Sequence, residues 1–464
     1  MVVTRFAPSP TGYLHIGSAR TALFNYLFAK HHGGKYLLRV EDTDRARSTG
    51  AAVDALINGL AWLGIEHDGE IVYQFSRKAR HAEIATKLVQ EGSAYYCYAS
   101  QTEIMESRDK ALSEKKPLRF ISPWRDFAGK PPLNAQPVVR LKAPSFGTTI
   151  INDLVQGKVE FQNTELDDMV LLRSDGTPTY MLAVVVDDID MNITHIIRGD
   201  DHLNNAARQQ ILYDAINVPA PLFAHIPLIH GPDGAKLSKR HGALGVEAYR
   251  DMGYLPETMC NYLLRLGWSH NDDEIISMEQ AISLFNLEAI GRSPSRLDFK
   301  KLDNLNAHYI KAKPNSELLT LIKPLFIEYF NIKLTERAEK KLIKAMDGLK
   351  LRAKTLKELV HNALFYIVAI PAISAPAKEI LVDPNNIVLL KEVIEILNQH
   401  KKWVDVDLQI LIKQFAEQKT LKLGEVAQVI RAALTGSTNS PSIFEIMEVL
   451  EKDETLSRLN HIIG

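Results

Sequence analysis

The N-terminal part of the chain alternates short apolar runs with longer stretches of helical periodicity. Residues 2–6 are β-branched and alternating, which predicts a first strand, and the prolines behind them lead into a turn at Gly12. Ser18 is a candidate N-cap for a helix reaching about Lys30, because apolar residues follow it at helical spacing. Strand and helix alternate in this way through residues 1–95, which predicts a parallel sheet with crossover helices.

The pattern changes at Tyr95, where strands interrupted by glycine and proline follow one another to about Phe161. Tyr180–Val186 is rich in apolar residues and predicts a buried strand of the resumed sheet. Asp187 and Asp188 would then lie at the carboxyl end of that strand, the edge where such sheets bind ligands.

From about Pro314 onward the chain shows helical periodicity and scarcely any strand signal. We therefore expect an α/β N-terminal half followed by an all-α C-terminal half. The first half should be a Rossmann-like doubly wound parallel sheet with an inserted α+β domain. The 464 residues are enough for several domains.

Composition narrows the function classes. A net charge of −1 excludes a uniformly basic nucleic-acid-binding protein, so an RNA partner would need local basic surfaces. The two cysteines, Cys97 and Cys260, are far apart, which favours a reducing compartment over a disulfide framework. The sequence has no apolar run long enough to span a bilayer and no signal-peptide pattern, so we expect a cytoplasmic protein without a membrane partner.

Two distant segments are candidates for binding a nucleotide polyphosphate. His15-Ile16-Gly17-Ser18 lies where a strand passes into a helix, and the free N–H groups and dipole of a helix start favour anions. Gly17 has no Cβ, so a base or ribose can approach the backbone, and His15 can donate to phosphate oxygens. The second segment, Lys236-Leu237-Ser238-Lys239-Arg240, follows a turn predicted by Gly231–Gly234 and offers cations that can follow developing charge.

Taken singly, each segment has an ordinary structural explanation. A lone histidine in a turn is usually structural, and a short basic run is usually a solvated loop. Taken together, they resemble the two signatures of class I aminoacyl-tRNA synthetases. Further motifs in the same order resemble glutamyl-tRNA synthetase of the bacterial type: Arg5–Gly12, Val40–Asp44, Tyr180 before Val185–Asp188, Arg198–His202, Leu434–Gly436 and Ser440-Pro441.

The resemblance implies a ligase that activates L-glutamate with ATP and transfers the glutamyl group to the 3′ end of tRNA-Glu. Mg²⁺ would accompany the phosphates, while His15, Lys236 and Lys239 would stabilise charge in the transition state. The ATP-binding residues carried over from the family are Pro8, His15, Gly17, Ser18, Asp201, His202, Ile229, Lys236, Ser238, Lys239 and Arg240.

An acidic amino acid in a partly dry site needs cationic partners. Among the residues that match the family's glutamate site, Glu41 and Ser9 are expected to hold the α-ammonium group. Arg198 is expected to read the γ-carboxylate, since glutamine-specific relatives carry a neutral residue there. The full glutamate set is Arg5, Ala7, Ser9, Glu41, Tyr180 and Arg198.

The resemblance also implies contacts with tRNA. Basic residues between Glu336 and Glu358 are candidates for phosphate and anticodon contacts, and four residues match positions near the anticodon: Arg352, Arg431, Ser440 and Pro441. The expected domains are a catalytic domain split over 1–95 and 180–240, an inserted acceptor-stem-binding domain at 96–179, a stem-contact region at 241–313, and helical anticodon-binding domains at 314–375 and 376–464.

Some bacterial relatives bind zinc in the inserted domain through a C-x-C pair followed by a C-x-H pair. Here Cys97-Tyr98-Ala99 and residues 121–126 keep at most one of those ligands. A structural zinc site needs four, so no zinc site is predicted.

The sequence leaves the tRNA specificity open. The chain could charge tRNA-Gln as well as tRNA-Glu, and a paralogue that charges mainly tRNA-Gln is the alternative. A shortened transferase that modifies tRNA-Asp would lack the helical half, and a nucleotidyltransferase without an RNA partner would lack domains beyond the sheet. A non-enzymatic RNA-binding protein would not need paired nucleotide motifs. A monomer is expected.

Overall fold

A computed structural model describes residues 1–10, 12–43, 48–115, 119–120, 122–130, 132, 135–235 and 245–464. The chain divides into two compact units, Met1–Tyr249 with Met259–Asp298, and Arg250–Thr258 with Phe299–Gly464. The first is α/β and the second is helical, which confirms the fold class expected from the sequence. The finer division into domains stays a prediction.

The described strands are β1 (Val3–Phe6), β2 (Lys35–Val40), β3 (Val72–Tyr73), β4 (Ala94–Cys97), β5 (Val138–Leu141), β6 (Thr148–Asp153), β7 (Gly157–Gln162), β8 (Val170–Leu172), β9 (His195–Gly199), β10 (Leu222–Ile226), β11 (Ile229–His230) and β12 (Ser295–Arg296). The helices up to residue 284 are α1 (Ile16–His31), α2 (Gly50–Trp62), α3 (Lys78–Gln90), α4 (Gln101–Ser113), α5 (Tyr180–Asp190), α6 (Leu203–Ile216), α7 (Val246–Asp251), α8 (Pro256–Arg265) and α9 (Met278–Leu284).

Every regular element from residue 299 onward is helical, and all of these residues are described. The helices are α10 (Phe299–Ala312), α11 (Asn315–Phe330), α12 (Glu336–Lys350), α13 (Leu356–Ala363), α14 (Ala375–Leu381), α15 (Pro384–Gln399), α16 (Asp405–Gln418), α17 (Leu423–Thr435) and α18 (Ile443–Ile463). They share one apolar core, in which Phe326, Met346, Leu390, Ile412 and Met447 are fully buried.

The central sheet explains where the site lies. β1, β2 and β3 pair in parallel in that order, and β9 pairs in parallel with β10. The N–H of Thr194 donates to the carbonyl of Val3 at 2.9 Å, which places the start of β9 beside the start of β1. Strand order therefore runs outward in both directions from β1 and β9, as in a doubly wound sheet. Ligands bind such sheets at the carboxyl ends of the strands where the order reverses.

The expected change of architecture after residue 95 is present. β4, β5 and β8 form an antiparallel sheet, and β6 pairs with β7 in an antiparallel hairpin. Helix α4 follows β4 and begins with a capping box at Ser100 and Glu103. These elements are the α+β insertion, and their role in binding the acceptor stem stays a prediction.

Two local predictions are wrong. Helix α1 is capped by His15, whose Nδ1 accepts from the N–H of Ser18 at 3.2 Å, so Ser18 lies in the first turn of the helix. Tyr180–Val186 belongs to helix α5 and forms no strand, because a run of buried apolar residues suits either element. Asp187 and Asp188 are therefore buried in the last turns of a helix and do not end a strand of their own.

Both cysteines are buried, and neither takes part in a disulfide. Among the residues described, none of the helices combines the length and the apolar character needed to cross a membrane.

Candidate active site

A cavity of about 500 Å³ lies at the carboxyl ends of the central strands. β1 carries Arg5 and leads into Ala7, β2 is followed directly by Glu41, and β9 carries Arg198 near its end. The described members of the predicted ATP and glutamate sets all line this cavity: Arg5, Ala7, Pro8, Ser9, His15, Gly17, Ser18, Glu41, Tyr180, Arg198, Asp201, His202 and Ile229.

The lysine-rich segment, with Lys236, Ser238, Lys239 and Arg240, lies outside the described residues. The chain on both sides of it is described. Upstream, Ile229 lines the cavity, and the predicted turn is confirmed by a hydrogen bond of 3.0 Å from the N–H of Gly234 to the carbonyl of Gly231. Downstream, Gly245 forms an antiparallel bridge with His15. Both flanks of the segment therefore lie at the cavity.

The imidazole of His15 is held against the first turn of α1. Besides the contact of its Nδ1 with the Ser18 N–H, its Nε2 lies 2.9 Å from the Ser18 hydroxyl. A Cβ on Gly17 would lie 3.1 Å from two atoms of this ring, which is tighter than an ordinary contact. Glycine at this position thus leaves room for the imidazole as well as for a ligand.

Arg5 and Glu41 belong to one buried chain of charges. The guanidinium of Arg5 donates to Asp188 at 3.0 and 3.4 Å, and Arg39 donates to Asp188 at 2.5 Å. Arg39 also donates to Glu41 at 3.3 Å, so two arginines alternate with two carboxylates. Burial alone would raise the pKa of Asp188, but Arg39 and Arg5 outweigh it and lower that pKa.

For Glu41, burial is the stronger effect and raises the pKa, although Arg39 and Arg5 oppose it. The carboxylate is therefore undersupplied with positive charge in this structure. A cation that bound beside it would stabilise its ionised form.

Arg198 differs in its contacts from Arg5, the other arginine of the predicted glutamate set. Its Nε donates to Nε2 of His225 at 3.1 Å, and its Nη2 donates to Gln209 at 2.8 Å. Among the described residues, its Nη1 has no hydrogen-bond partner and no carboxylate forms a salt bridge with this guanidinium. Burial lowers its pKa. A buried cation without an anion is costly, so this position is suited to an anionic ligand.

Tyr180 and His202 contribute polar groups beside Arg198. The Tyr180 hydroxyl lies 3.3 Å from Nδ1 of His202. Burial raises the pKa of Tyr180, and burial together with the nearby Arg198 lowers the pKa of His202. Both groups are therefore neutral at neutral pH and can serve as hydrogen-bonding groups for a ligand.

The sequence reasoning missed several residues of the wall, namely Phe6, Arg20, Thr21, Ile197, Gly199, Asn205 and Leu228. Arg20 is buried and donates to the carbonyls of Leu266, at 2.7 Å, and Pro227. A signal for it existed, because an arginine that lies among the apolar residues of the predicted helix needs a polar partner if it is buried. Gly199 lies inside the motif Arg198–His202 but was not assigned to the site, and a Cβ there would lie 2.6 Å from Asp201.

A second cavity, of about 220 Å³, lies in the helical unit. Arg352, Ser440 and Pro441 line it, and Arg431 donates to the Ser440 hydroxyl at 3.1 Å. Burial, and then the like charge of Arg352, lowers the pKa of Arg431. The structure thus brings together all four residues that match anticodon positions.

The basic residues between Glu336 and Glu358 are partly neutralised. Lys344 pairs with Glu448 at 3.2 Å, and Lys340 pairs with Glu336 at 2.6 Å. Lys341 pairs with Glu454 in the same way. These ion pairs make α12 a weaker candidate for phosphate contacts than its sequence indicates.

The region compared with zinc sites holds polar and aromatic contacts. The Cys97 thiol lies 3.2 Å from the Ser122 hydroxyl, and the rings of Tyr98 and Trp124 are 5.0 Å apart. Over the described part of the chain, no cluster of three or more histidine, cysteine or acidic side chains is arranged to hold a metal ion. The absence of zinc stays a prediction.

Comparisons with known proteins identify the family. The family model for the catalytic domain of class I tRNA synthetases (E and Q) matches residues 1–304, and that for an anticodon binding domain matches residues 317–463. The chain is 56% identical over 99% of its length to glutamate–tRNA ligase 2 of Rhodospirillum centenum, of which it covers 98%. The chain belongs to the glutamate–tRNA ligase family.

Other members of the glutamate–tRNA ligase family support this. The enzyme named glutamate–tRNA ligase 2 of Rickettsia felis is 55% identical, with 99% of both chains covered. A crystal structure of a glutamate tRNA ligase from Elizabethkingia meningosepticum, in complex with its amino acid, has a TM-score of 0.89 at 31% identity and covers 100% of this chain and 99% of that chain. Membership of this class I family implies ATP as a substrate and tRNA and glutamate as partners.

Proposed function

We propose that the chain charges tRNA-Glu with L-glutamate at the expense of ATP, acting as a monomer in the cytoplasm, and that the cavity at the strand ends binds glutamate and ATP. The observation that carries this assignment is Arg198, a buried guanidinium that lines the cavity without a carboxylate partner among the described residues. The γ-carboxylate of glutamate supplies the missing anion.

The other polar groups fit the rest of the amino acid. Glu41, whose pKa is raised by burial, gains a cation when the α-ammonium group binds beside it and beside Ser9. Arg5, fixed by Asp188, adds positive charge on the same wall. With the γ-carboxylate on Arg198, the α-carboxylate is left for reaction with ATP.

In the first step, an oxygen of the α-carboxylate attacks the α-phosphorus of ATP, and the bond to pyrophosphate breaks. In the second, a hydroxyl of the terminal ribose of tRNA attacks the acyl carbon of the mixed anhydride, and AMP leaves. No protein nucleophile is needed. The protein contributes position and charge stabilisation, with His15 on the side of the α-phosphate.

Lys236 and Lys239 are proposed to stabilise the leaving pyrophosphate. The support is that the described chain enters this segment past Ile229 in the cavity wall and leaves it at Gly245, which bridges with His15. Mg²⁺ would be held by the phosphates of ATP and lower their charge. The described residues offer no cluster of three or more ligands for a resident metal.

Replacement of Arg198 tests the assignment. Arg198→Gln should raise KM for glutamate roughly a hundredfold, because the cation and its charge-assisted hydrogen bond to the γ-carboxylate are lost, and leave KM for ATP within about twofold. The control is Arg208→Gln, which removes an arginine that pairs with Asp167 at 3.2 Å and does not line the cavity. An unchanged KM for glutamate in Arg198→Gln would refute the assignment.

The second cavity is proposed to receive anticodon bases. Arg352 lines it and Arg431 is hydrogen-bonded to Ser440 in its wall, and a guanidinium can donate to one base in two places while excluding another. Arg352→Ala should raise KM for tRNA about tenfold and leave KM for glutamate unchanged. Lys419→Ala is the control, since that lysine pairs with Glu392 on the surface of the same unit.

Specificity for tRNA is tested by aminoacylation with purified tRNA-Glu and tRNA-Gln, with glutamate and glutamine each offered in turn. We expect glutamate to be attached to tRNA-Glu. Charging of mainly tRNA-Gln is the alternative that the sequence leaves open. The ratio of kcat/KM for the two tRNAs decides between them.

A further inference from the structure

We propose that His225 is a positioning residue for glutamate recognition, which acts through Arg198 and is itself fixed by Asp153. This inference rests on the proposed role of Arg198. His225 and Arg198 are paired positions on the adjacent parallel strands β10 and β9, so their side chains lie on the same face of the sheet. His225 does not line the cavity, so it is not placed to touch the proposed substrates itself.

The contacts determine which nitrogen of His225 carries the proton. A guanidinium can only donate, so Nε2 of His225 must accept the hydrogen bond of 3.1 Å from Nε of Arg198. The proton is therefore on Nδ1, which donates to a carboxylate oxygen of Asp153 at 2.6 Å. The neutral imidazole with this tautomer satisfies both neighbours. A protonated imidazole would turn an N–H toward the guanidinium.

Asp153 is well suited to hold this tautomer. It lies at the end of β6, and its Oδ1 accepts from the backbone N–H groups of Val155 at 2.9 Å and Gln156 at 2.8 Å. It also accepts from the backbone N–H of His225 at 3.1 Å. One carboxylate thus shapes the turn of the β6–β7 hairpin and fixes both the main chain and the side chain of His225.

This arrangement fixes the orientation of the Arg198 guanidinium. With Nε held by His225 and Nη2 held by Gln209, the plane of the guanidinium is determined at two points. Only Nη1 lacks a partner among the described residues. The imidazole therefore presents Arg198 in one orientation to a carboxylate, and glutamate binding does not have to order the guanidinium first.

Two substitutions separate the two hydrogen bonds of the imidazole. In His225→Gln the amide oxygen can take the place of Nε2 and still accept from Arg198. In His225→Asn the amide nitrogen can take the place of Nδ1 and donate to Asp153, while the contact with Arg198 is lost. We expect His225→Asn to raise KM for glutamate about tenfold or more, and His225→Gln to keep most of the wild-type value. KM for ATP and kcat should change little in either.

Gln156→Ala is the matched control, because Gln156 donates to the carbonyl of His225 at 2.9 Å without touching the imidazole. It should leave KM for glutamate unchanged. In the background of Arg198→Gln, His225→Asn should have no further effect, since its influence passes through the guanidinium. The thermal unfolding midpoint of each variant shows whether it is folded.

The outcomes distinguish the two proposals. If Arg198→Gln raises KM for glutamate but His225→Asn and His225→Gln behave alike, the positioning role is wrong and the role of Arg198 stands. If Arg198→Gln has no effect on that KM, the proposed glutamate site is itself wrong. If His225→Asn raises KM for ATP and KM for glutamate by the same factor, its role is merely structural and the inference is wrong.

Discussion

The carboxylate of Asp188 accepts two hydrogen bonds from the guanidinium of Arg5, at 3.0 and 3.4 Å, across 183 residues of sequence. Both side chains are at least 96% shielded from solvent. Asp188 also accepts from Arg39, so one fully buried carboxylate fixes the position of a proposed glutamate-binding arginine and anchors the strand beside it.

Removal of the Asp188 charge should therefore destabilise the protein strongly. Asp188→Asn leaves two buried guanidinium groups undercompensated, and we expect the free energy of unfolding to fall by about 3–5 kcal/mol. Asp190→Asn, on the same helix, disturbs only half-exposed pairs with Arg77 and Arg80 and should cost about 1 kcal/mol or less. Urea denaturation of both variants measures the difference, and equal losses would contradict it.

The ion pairs of Asp188 with Arg5 and Arg39 also predict that the stability of the protein depends on pH. The pKa of Asp188 is lower in the folded protein than the value of about 3.9 expected for the unfolded chain. Its contribution is therefore fully present above that unfolded value and is lost as the pH falls through the folded one. The difference in unfolding free energy between wild type and Asp188→Asn should narrow in acid, and a constant difference down to the lowest pH at which the protein folds would argue against it.

Protonation of Glu41 should weaken glutamate binding at acidic pH. Its pKa is raised by burial, so it becomes protonated at a higher pH than an ordinary glutamate, and only the ionised form pairs with the α-ammonium group. KM for glutamate should rise as the pH falls through this pKa. In Glu41→Gln, KM should be high throughout and lack that dependence. An identical pH profile for both proteins would exclude the proposed role.

Gly17→Ala tests the position of His15. The added methyl group would press on the imidazole at 3.1 Å, so we expect kcat for glutamate activation to fall roughly tenfold to a hundredfold. Gly50→Ala is the matched control, because a Cβ there meets nothing within 4 Å and the residue begins helix α2. Pyrophosphate exchange in the presence of tRNA measures both, and full activity in Gly17→Ala would show that the ring position is unimportant.

Elemental analysis of the purified protein should find no stoichiometric zinc. Cys97 lies beside a serine hydroxyl, and a single thiol supplies one of the four ligands that a structural site needs. Cys97→Ser should leave both metal content and aminoacylation unchanged. One zinc ion per chain, lost in Cys97→Ser, would overturn the prediction.

The sequence predicts the individual helices and strands of this fold better than it predicts which elements pack against one another. The first strand, the helix behind His15 and the helical second half follow from apolar periodicity, which is a local property. The strand proposed at Tyr180–Val186 fails, because α5 is buried on most of its surface and loses the helical alternation of polar residues. The burial of α5 depends on the elements that pack around it, and the sequence of the segment alone does not specify them.

In the candidate site, too, the sequence identifies single residues but not the contacts between distant ones. Residues of the long motifs were identified because each carries its own chemistry, and the described ones meet in one cavity. The link from Asp153 to His225 spans 72 residues and joins the hairpin to the sheet, with no motif at either end. Such pairings depend on tertiary register, and periodicity gives no information about it.

The bridge between His15 and Gly245 joins the start of helix α7 to the N-terminal histidine motif. The N–H of Val246 also donates to the carbonyl of Leu14 at 2.9 Å, so two successive residues hold this connection. A shift of the main chain at Gly245 or Val246 would therefore move the backbone that carries the histidine.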